Sequence, residues 1–492
     1  MRTTLILIFS LVGCMYTALH AQEEERYYGG VVLNDSIYEL IPKKPVLLTR
    51  SYEILPASHS LRNYCPTVGA QGRYSTCTSW ASAYAARTIS EAVINNWQST
   101  QSSAEAFSPL FVYSLSRGEN SGNCQTGIYL DAAFQTLKTR GAAKYRDFSY
   151  DCTSHVSIPS ELYPKAQSNV IDNYFALFSA KDSHEKKIIT TKKSISENRP
   201  VVVSMANYIS FQKNNEEVWS GTADVMDGYH AMCVVAYDNN KDGGAFLFMN
   251  SWGPRWGDNG FKWVRYSDFS KYVNYAMEMY VKKKTTTPQT TPSVTHPTPT
   301  PKPTPVTTQS AQTELNNLAG ELNFVLSTGQ KMRPRLYNAN RNPYYVLEGS
   351  YISGTRYRLY VSNHEPAYVY IIGSDLTNAV SKVFPPHDQV SAALVYQSNE
   401  MAIPDEKWHI QMDNTTGKDY ACVLYSRDEL PINEIVHRIK AESGSFIEKI
   451  NKVLADKIVP AKDIKYDYSA IRFSVKNTDK TVVPIIIEID HR

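Results

Sequence analysis

Cys77 is the residue whose type and position best suit nucleophilic chemistry in this chain. A cysteine attacks a carbonyl carbon as a thiolate, so its unperturbed pKa of about 8.5 must be lowered for that form to exist at neutral pH. A helix N-terminus and a neighbouring imidazolium both lower it. The sequence predicts a helix beginning at Cys77, with Ser75 or Thr76 available as its cap. Small or apolar residues recur behind it at helical spacing, which predicts a largely buried helix: Trp80, Ala81, Tyr84, Ala85, Thr88, Ile89 and Ala92.

A lone cysteine at a helix start is usually structural, so the assignment depends on three sequence blocks. Gln71 to Cys77 opens with a Gln-Gly pair, His230-Ala231 begins an apolar run, and Asn250 to Gly260 reads Asn-Ser-Trp-Gly-Pro-Arg-Trp-Gly-Asp-Asn-Gly. In this order the blocks resemble the papain family of cysteine peptidases. That family carries Gln-Gly before its nucleophile, His-Ala at a strand start and an Asn-Ser-Trp-Gly-x-x-Trp-Gly-x-x-Gly block. The resemblance covers roughly Leu61 to Lys284.

The resemblance implies a role for each matching residue in a cysteine-type endopeptidase that works through an acyl-thioester. Cys77 is expected to be the nucleophile and His230 its base, the two forming a thiolate–imidazolium pair. Asn250 is expected to orient the imidazole, and Trp252 to shield that hydrogen bond from water. Gln71, together with the backbone N–H of Cys77, is expected to form the oxyanion hole. No cofactor and no metal are predicted.

Several positions depart from the family pattern. Tyr74 stands where the family's Cys-Gly-Ser-Cys-Trp motif has its first cysteine, so one familiar disulfide is missing or rerouted, with Cys65 as the candidate partner. Cys124 to Gly127 matches only partly the Cys-x-Gly-Gly segment that lines the family's substrate cleft. The Thr-Cys-x-x-Trp-Ala variant around Cys77 is similar to bacterial members. Residues 22–57 contain no long helical stretch of the kind expected of an inhibitory prosegment.

The remaining cysteines bear on the compartment. Cys124 and Cys152 are the favoured disulfide, because export implies an oxidising environment. Cys233 and Cys422 lie inside apolar strand-like runs and are predicted to be buried free thiols. The absence of any Cys-x-x-Cys pair disfavours a zinc site. The stretch Asp238 to Gly243 partly resembles a calcium loop, but it lacks the final glutamate and is predicted to be a polar hairpin turn.

The N-terminus predicts export. Residues 1–21 combine Arg2, an apolar run from Leu5 to Val12, and a small-residue cleavage site ending at Ala21, as in a secretory signal peptide. Leu11 to Cys14 also resembles a lipobox, which leaves a lipid anchor at Cys14 open. The predicted location is secreted, whether periplasmic, cell-surface or extracellular. No other stretch approaches a transmembrane span, and the formal net charge of +3 does not favour nucleic acid as a partner.

The 492 residues, 42% of them hydrophobic, are enough for two or three cores. A Pro/Thr-rich stretch predicts an extended linker between two globular regions. The predicted division is a signal peptide at 1–21, an N-terminal segment at 22–57, a peptidase domain at 58–284, a linker at 285–312 and an accessory domain at 313–492. The fold class implied is α+β: a two-lobed papain-like fold with a helical lobe and a β-barrel-like lobe, followed by a β-rich domain.

The C-terminal region alternates like β-structure, and one long helix is predicted from Asn433 to Ala455. It resembles, more weakly, a β-rich domain of unknown function appended to bacterial peptidases and kinases. Gly354-x-x-Tyr357, Phe384-Pro385 and Ile403-Pro404 carry that likeness. It shows no catalytic constellation, and a scaffold or binding role with an unknown partner is the default interpretation.

Other functions remain open on the sequence. A transpeptidase, ligase or cell-wall amide hydrolase would use the same site with another acceptor, while an endopeptidase would take protein or peptide substrates. An inert papain-like surface scaffold is a different class. Such scaffolds normally lack the nucleophile or the base, and here both positions are filled.

Overall fold

The computed structural model describes residues 29–44, 55–117, 124–149, 151–152, 156–282, 316–338, 342–375, 377, 379–394, 399–404 and 408–492. The predicted signal peptide, the lipobox at Cys14 and the linker at 285–312 lie outside these residues. Within them, no helix combines the length and apolar character needed to cross a membrane.

A helical lobe precedes most of the first sheet. Its central helix runs without interruption over residues 77–95 and contains a π-helical stretch at Trp80–Arg87. Apolar and small side chains cover both faces of this helix, which is why it lies in the core. The helices up to the start of the second lobe are α1 Asp35–Tyr38, α2 Cys77–Ser79, α3 Thr88–Asn95, α4 Ser99–Ala104, α5 Pro109–Arg117, α6 Leu130–Thr139 and α7 Leu162–Gln167, with a 3₁₀ turn at Arg62–Tyr64.

The second lobe is an eight-stranded sheet ordered β2-β8-β3-β5-β6-β7-β4, with β1 paired to β5. Its central strands are buried along nearly their whole length, consistent with their continuous apolar runs. The strands are β1 Ser58–Ser60, β2 Asn173–Phe178, β3 Val201–Tyr208, β4 Val218–Trp219, β5 Met226–Asp238, β6 Ala245–Met249, β7 Phe261–Arg265 and β8 Val273–Tyr280. Its helices are α8 His184–Ser196, α9 Ile209–Lys213 and α10 Tyr266–Tyr272.

The C-terminal region forms two seven-stranded sheets, with main paths β17-β13-β9-β21-β20 and β11-β12-β22-β19-β14-β15. Their facing sides share one apolar core. The strands are β9 Asn316–Leu326, β10 Lys331–Met332, β11 Pro334–Tyr337, β12 Tyr344–Tyr351, β13 Arg356–Asn363, β14 Ala367–Ser374, β15 Val380–Phe384, β16 Ala393–Leu394, β17 Asn399–Ile403, β18 Ile410–Gln411, β19 Gly417–Ser426, β20 Lys465–Tyr466, β21 Ile471–Thr478 and β22 Val482–His491. The predicted α+β architecture with a β-rich C-terminal region is confirmed.

The single long helix predicted near the C-terminus is wrong. Two helices stand there, α11 Ile432–Ala441 and α12 Phe446–Val453, with a 3₁₀ turn at Ala461–Asp463 farther on. Gly444 lies between them with φ +114°, and Ser445 forms a capping box with Glu448. The first helix has already ended at Glu442, whose backbone is extended (φ −77°, ψ 152°), and the capping box at Ser445 starts the second helix. The left-handed Gly444 belongs to the connection between them, so these local features override the continuous apolar periodicity.

Some of the predictions for the cysteines are confirmed and one is wrong. Cys124 and Cys152 are joined, and Cys233 and Cys422 are buried free thiols, as expected. The proposed rerouting of a disulfide through Cys65 is wrong, because Cys65 is a buried free thiol whose Sγ donates to the Leu61 carbonyl at 3.5 Å. The polar hairpin turn after Asp238 is present, joining β5 to β6.

Residues 33–44 pack along the second lobe as part of its structure. The Lys44 ammonium lies 2.7 Å from the Glu278 carboxylate, and both side chains are buried. Arg199 is farther from the same carboxylate, at 3.7 Å. A buried pair of this kind is costly to break by removing one partner, since the other charge stays behind in the interior.

We therefore expect Lys44→Ala to lower the free energy of unfolding by about 3 kcal/mol. Lys43→Ala is the matched control, because its ion pair with Glu39 is about one-third exposed and such pairs contribute about 0.5 kcal/mol. Urea denaturation of both variants checks this, and equal losses would contradict it.

Candidate active site

The N-terminus of the central helix meets strand β5 at the boundary between the two lobes. Cys77 opens the helix, and its Sγ accepts a hydrogen bond from the Ala231 backbone N–H at 3.4 Å. His230 precedes Ala231 on β5, and both Cys77 and His230 are fully buried. Folding therefore brings a thiol and an imidazole from distant parts of the chain to the same lobe boundary.

The predicted cap of this helix is only half correct. Thr76 occupies the N-cap position, but its side chain makes no capping hydrogen bond. The Ser75 backbone N–H instead donates to the Cys124 carbonyl at 2.8 Å. The helix start is thus held against the neighbouring loop by backbone bonding, which local sequence does not reveal.

Asn250 fixes the orientation of the imidazole. Its Oδ1 lies 2.7 Å from His230 Nε2. Because an amide oxygen only accepts, Nε2 must carry the proton, which leaves Nδ1 as the basic nitrogen when the ring is neutral. Among the described residues Nδ1 has no hydrogen-bond partner. The Trp252 ring stacks on the imidazole with 4.4 Å between the ring centroids.

Gln71 is buried beside Ser251, and both ends of its side-chain amide are hydrogen-bonded. Its Oε1 accepts from the Ser251 hydroxyl at 2.7 Å, and its Nε2 donates to the Tyr74 carbonyl at 2.7 Å. The Ser251 backbone N–H also donates to Asn250 Oδ1 at 2.7 Å. Ser251 therefore links the residue that orients the imidazole to the amide of Gln71. Sequence analysis missed this link, although Ser251 lies inside the recognised block.

The N-terminal segment lies in the cleft between the lobes, which sequence analysis also missed. On the β-rich side, the N–H groups of Gly30 and Val31 donate to the Tyr229 carbonyl at 3.0 and 3.3 Å. On the helical side, the Ile128 N–H donates to the Gly30 carbonyl at 3.1 Å, and the Val32 N–H donates to the Ile128 carbonyl at 3.2 Å. The segment thus bridges the two walls next to His230.

Two glycines allow this close approach. A Cβ at Gly29 would collide with the Tyr229 carbonyl, and one at Gly30 would collide with the Ser75 carbonyl. The signal in the sequence was a Gly-Gly pair followed by two valines, which suits an extended, closely packed strand. It carries no mark of its partner, so only the fold reveals that it fills the cleft.

Burial in this closed arrangement sets the protonation of the site. It raises the pKa of the Cys77 thiol to about 12, with the Ala231 N–H acting in the opposite direction. It lowers the pKa of His230 to about 4, with the Asn250 hydrogen bond opposing it. The expected lowering of the thiol pKa is therefore outweighed here, because desolvation disfavours both charged forms. The closed cleft holds a neutral thiol and a neutral imidazole.

A thiol at a helix start, bonded to the backbone of a strand whose preceding histidine pairs with an asparagine, fits a papain-like cysteine peptidase, which is a hydrolase. Residues 55–282 match the family model of the papain family of cysteine proteases. Residues 350–429 match a domain of unknown function, DUF4384. Both resemblances inferred from the sequence are therefore confirmed, the first over residues 55–282 and the second over residues 350–429.

Individual relatives are distant. An uncharacterized peptidase C1-like protein of Acanthamoeba polyphaga mimivirus is 27% identical over 232 residues, which are 44% of this chain and 70% of that protein. Cathepsin B-like cysteine proteinase 2 of Haemonchus contortus is 32% identical over 77 residues, only 16% of this chain and 22% of that protein. Among solved structures, xylellain, a cysteine protease from Xylella fastidiosa, is similar with 20% identity and a TM-score of 0.43, over 52% of this chain and 96% of that chain.

Proposed function

We propose that this protein is an exported cysteine-type endopeptidase that hydrolyses peptide bonds through Cys77 and His230. The observation that carries the proposal is the contact of Cys77 with β5 beside a histidine already oriented by Asn250. Export is supported by the Cys124–Cys152 disulfide, since such bonds persist in oxidising compartments.

In the proposed mechanism, His230 Nδ1 takes the Cys77 proton once the cleft is open. The thiolate attacks the scissile carbonyl carbon and forms a C–S bond, and the imidazolium then protonates the departing amine as the C–N bond breaks. Water deprotonated by His230 cleaves the acyl-thioester and restores the thiol. Asn250 holds the ring in one orientation through both steps.

The oxyanion of each tetrahedral intermediate needs donors fixed in advance. Gln71, whose Nε2 donates to the Tyr74 carbonyl, is assigned as one donor to the oxyanion. The Cys77 backbone N–H lies at the helix start and is the second donor. The Ser251 hydroxyl supports this role by preventing the Gln71 amide from flipping.

The occupied cleft supports an endopeptidase. The segment there pairs through backbone groups with Tyr229 on one wall and Ile128 on the other. An extended substrate would use the same backbone groups.

The test is an epoxide or iodoacetamide thiol probe, followed by mapping of the labelled peptide and profiling of peptide-library and denatured-protein cleavage. We expect selective labelling of Cys77 and cleavage within the substrate chains. Labelling without hydrolysis would instead favour a transpeptidase or a cell-wall amide hydrolase. If Cys77 takes no label even after the chain is reduced and its N-terminal segment is displaced from the cleft, the inert scaffold is favoured.

A further inference from the structure

A serine, an imidazole and a carboxylate of the C-terminal domain lie close together. Ser353 Oγ is 3.0 Å from His491 Nε2, and His491 Nδ1 is 3.1 Å from Asp419 Oδ2. The His491 side chain is fully buried, the Asp419 side chain is 24% exposed and Ser353 is partly exposed. A hydroxyl beside an imidazole that faces a carboxylate is the arrangement that can turn a serine into a nucleophile.

Three neighbouring strands of one sheet bring these side chains together. His491 is the last residue of β22 and pairs with Tyr351 of β12 on one side and Gly417 of β19 on the other. Asp419 lies two residues after Gly417, so its side chain lies on the same face of the sheet as that of His491. Ser353 follows Tyr351 in the turn that leads to β13. The sequence shows no catalytic constellation in this domain, because segments distant in the chain carry the three residues.

Ser353 lies in a tight turn whose backbone is fixed by hydrogen bonds. The Thr355 N–H donates to the Ile352 carbonyl at 3.0 Å and closes the turn, and Gly354 has the positive φ of +82° that favours glycine at the third position. The Ser353 N–H donates to the Arg492 carbonyl at 3.1 Å. The side chain of Ile352 is 70% exposed. The turn therefore holds the Ser353 hydroxyl at the surface, while its imidazole partner is buried.

The contact with Asp419 determines which nitrogen of His491 is basic. A carboxylate only accepts, so the imidazole proton is favoured on Nδ1, and Nε2 is left to accept from the Ser353 hydroxyl. The 3.1 Å contact is not aligned as a hydrogen bond, so among the described residues the buried Nδ1 has no hydrogen-bond partner. Catalytic hydrogen bonds are often poorly aligned without substrate and tighten when it binds. The carboxylate is therefore placed to stabilise the imidazolium that forms when Ser353 loses its proton.

The surroundings of Ser353 indicate which substrates this arrangement suits. The N–H groups of Ser353 and Thr355 are engaged with carbonyls, and the Gly354 N–H donates to the Met412 carbonyl at 3.0 Å. None of these three groups is available to an oxyanion, so the leaving group of the substrate must be a good one, as a phenol is. The exposed side chain of Ile352, in the same turn, is available to contact an apolar acyl group.

We propose that Ser353 is a second nucleophile of this chain and that it hydrolyses carboxylic esters of phenols. Ser353 Oγ bonds to the ester carbonyl carbon as His491 Nε2 takes the hydroxyl proton, and the phenol leaves with that proton as its C–O bond breaks. Water deprotonated by the same imidazole then cleaves the acyl-serine and restores the hydroxyl. Asp419 orients the imidazole through both steps. This activity does not depend on Cys77.

The first experiment uses the full-length Cys77→Ala chain, so that the thiol of the peptidase site cannot react. The chain is treated with a fluorophosphonate probe or with para-nitrophenyl butyrate, and the labelled peptide is mapped. We expect a label on Ser353 and release of para-nitrophenolate. Both should be lost in the additional variant Ser353→Ala and lowered at least about 10²-fold in His491→Gln. Ser350→Ala is the matched control and should react normally, because the Ser350 hydroxyl donates to Asp490. A folded chain with no label on Ser353, or equal labelling of Ser350 and Ser353, would overturn the proposal.

The second experiment separates the proposed role of Asp419 from a structural one, in the same Cys77→Ala chain. We expect Asp419→Asn to lower kcat for para-nitrophenyl butyrate at least about tenfold with KM unchanged, because a neutral amide does not stabilise the imidazolium. Asp419→Glu, which restores the charge, should recover part of kcat. Asp413→Asn is the control, since that carboxylate accepts from the Thr415 N–H at 2.7 Å, and its kcat should stay at the parent value. An unchanged kcat in Asp419→Asn, or an equal loss in both asparagine variants, would refute the arrangement.

Discussion

Cys77→Ala is expected to lower kcat for protein or peptide hydrolysis by at least about 10⁴-fold, because the acyl-thioester cannot form without the thiol. Its fold should be retained, since the side chain is small and its sulfur is a weak acceptor for the Ala231 N–H at 3.4 Å. The measurement is kcat and KM on a fluorogenic peptide, together with the thermal midpoint. We expect labelling by an epoxide probe to disappear with activity.

Cys422→Ala is the matched control for this variant. Its thiol is equally buried and free, but it lies on β19 of the C-terminal domain. Activity and labelling should both be unchanged in it. Residual hydrolysis by Cys77→Ala near the wild-type rate would remove Cys77 from the mechanism, whatever the folding state of the control.

Gly30→Val is expected to open the cleft of the unprocessed chain. The valine side chain would collide with the Ser75 carbonyl, so residues 29–33 could no longer lie between the two walls of the cleft. The backbone bonds lost are worth about 0.5 to 1.5 kcal/mol each, so alkylation of Cys77 should accelerate at least about tenfold. Val32→Thr, a substitution of similar shape in the same segment, should leave the rate close to that of the wild type.

The pH profile gives this prediction a second readout. In the closed chain burial raises the pKa of Cys77 to about 12, so the thiolate is scarce at neutral pH and alkylation should rise as the pH rises. Opening admits water, which relieves the desolvation that raises the thiol pKa and lowers the pKa of His230. The Gly30→Val chain should therefore react faster at pH 6 as well. Identical pH profiles for the two chains would show that residues 29–33 do not determine the reactivity of Cys77.

The positions of Cys77, His230 and Asn250 could be predicted because each stands in a short block whose residue types are tied together by local geometry. In the structure the Ala231 N–H donates to Cys77 Sγ at 3.4 Å, and His230 Nε2 lies 2.7 Å from Asn250 Oδ1. What the sequence could not show is which backbone groups complete the arrangement. The Ser75–Cys124 bond and the occupation of the cleft by Gly30 join segments far apart in the chain, and backbone pairing leaves little trace in side-chain type.

The errors have equally physical causes. Apolar periodicity alone predicts one long C-terminal helix, whereas the chain becomes extended at Glu442 and a capping box at Ser445 starts a second helix. Cys65 was offered as a disulfide partner because the family's cysteine is missing at Tyr74. The Cys65 thiol instead donates to the Leu61 carbonyl at 3.5 Å.

The Cys124–Cys152 bridge has a practical consequence for anyone who assays this enzyme. Cys124 lies a few residues before Ile128, and its carbonyl holds the Ser75 N–H beside the nucleophile. The reductant that protects Cys77 from oxidation also reduces the Cys124–Cys152 disulfide in the neighbouring wall of the cleft. Turnover should therefore pass through a maximum as the dithiothreitol concentration is increased. A dithiothreitol concentration chosen for a cysteine enzyme without a disulfide would give too low a rate.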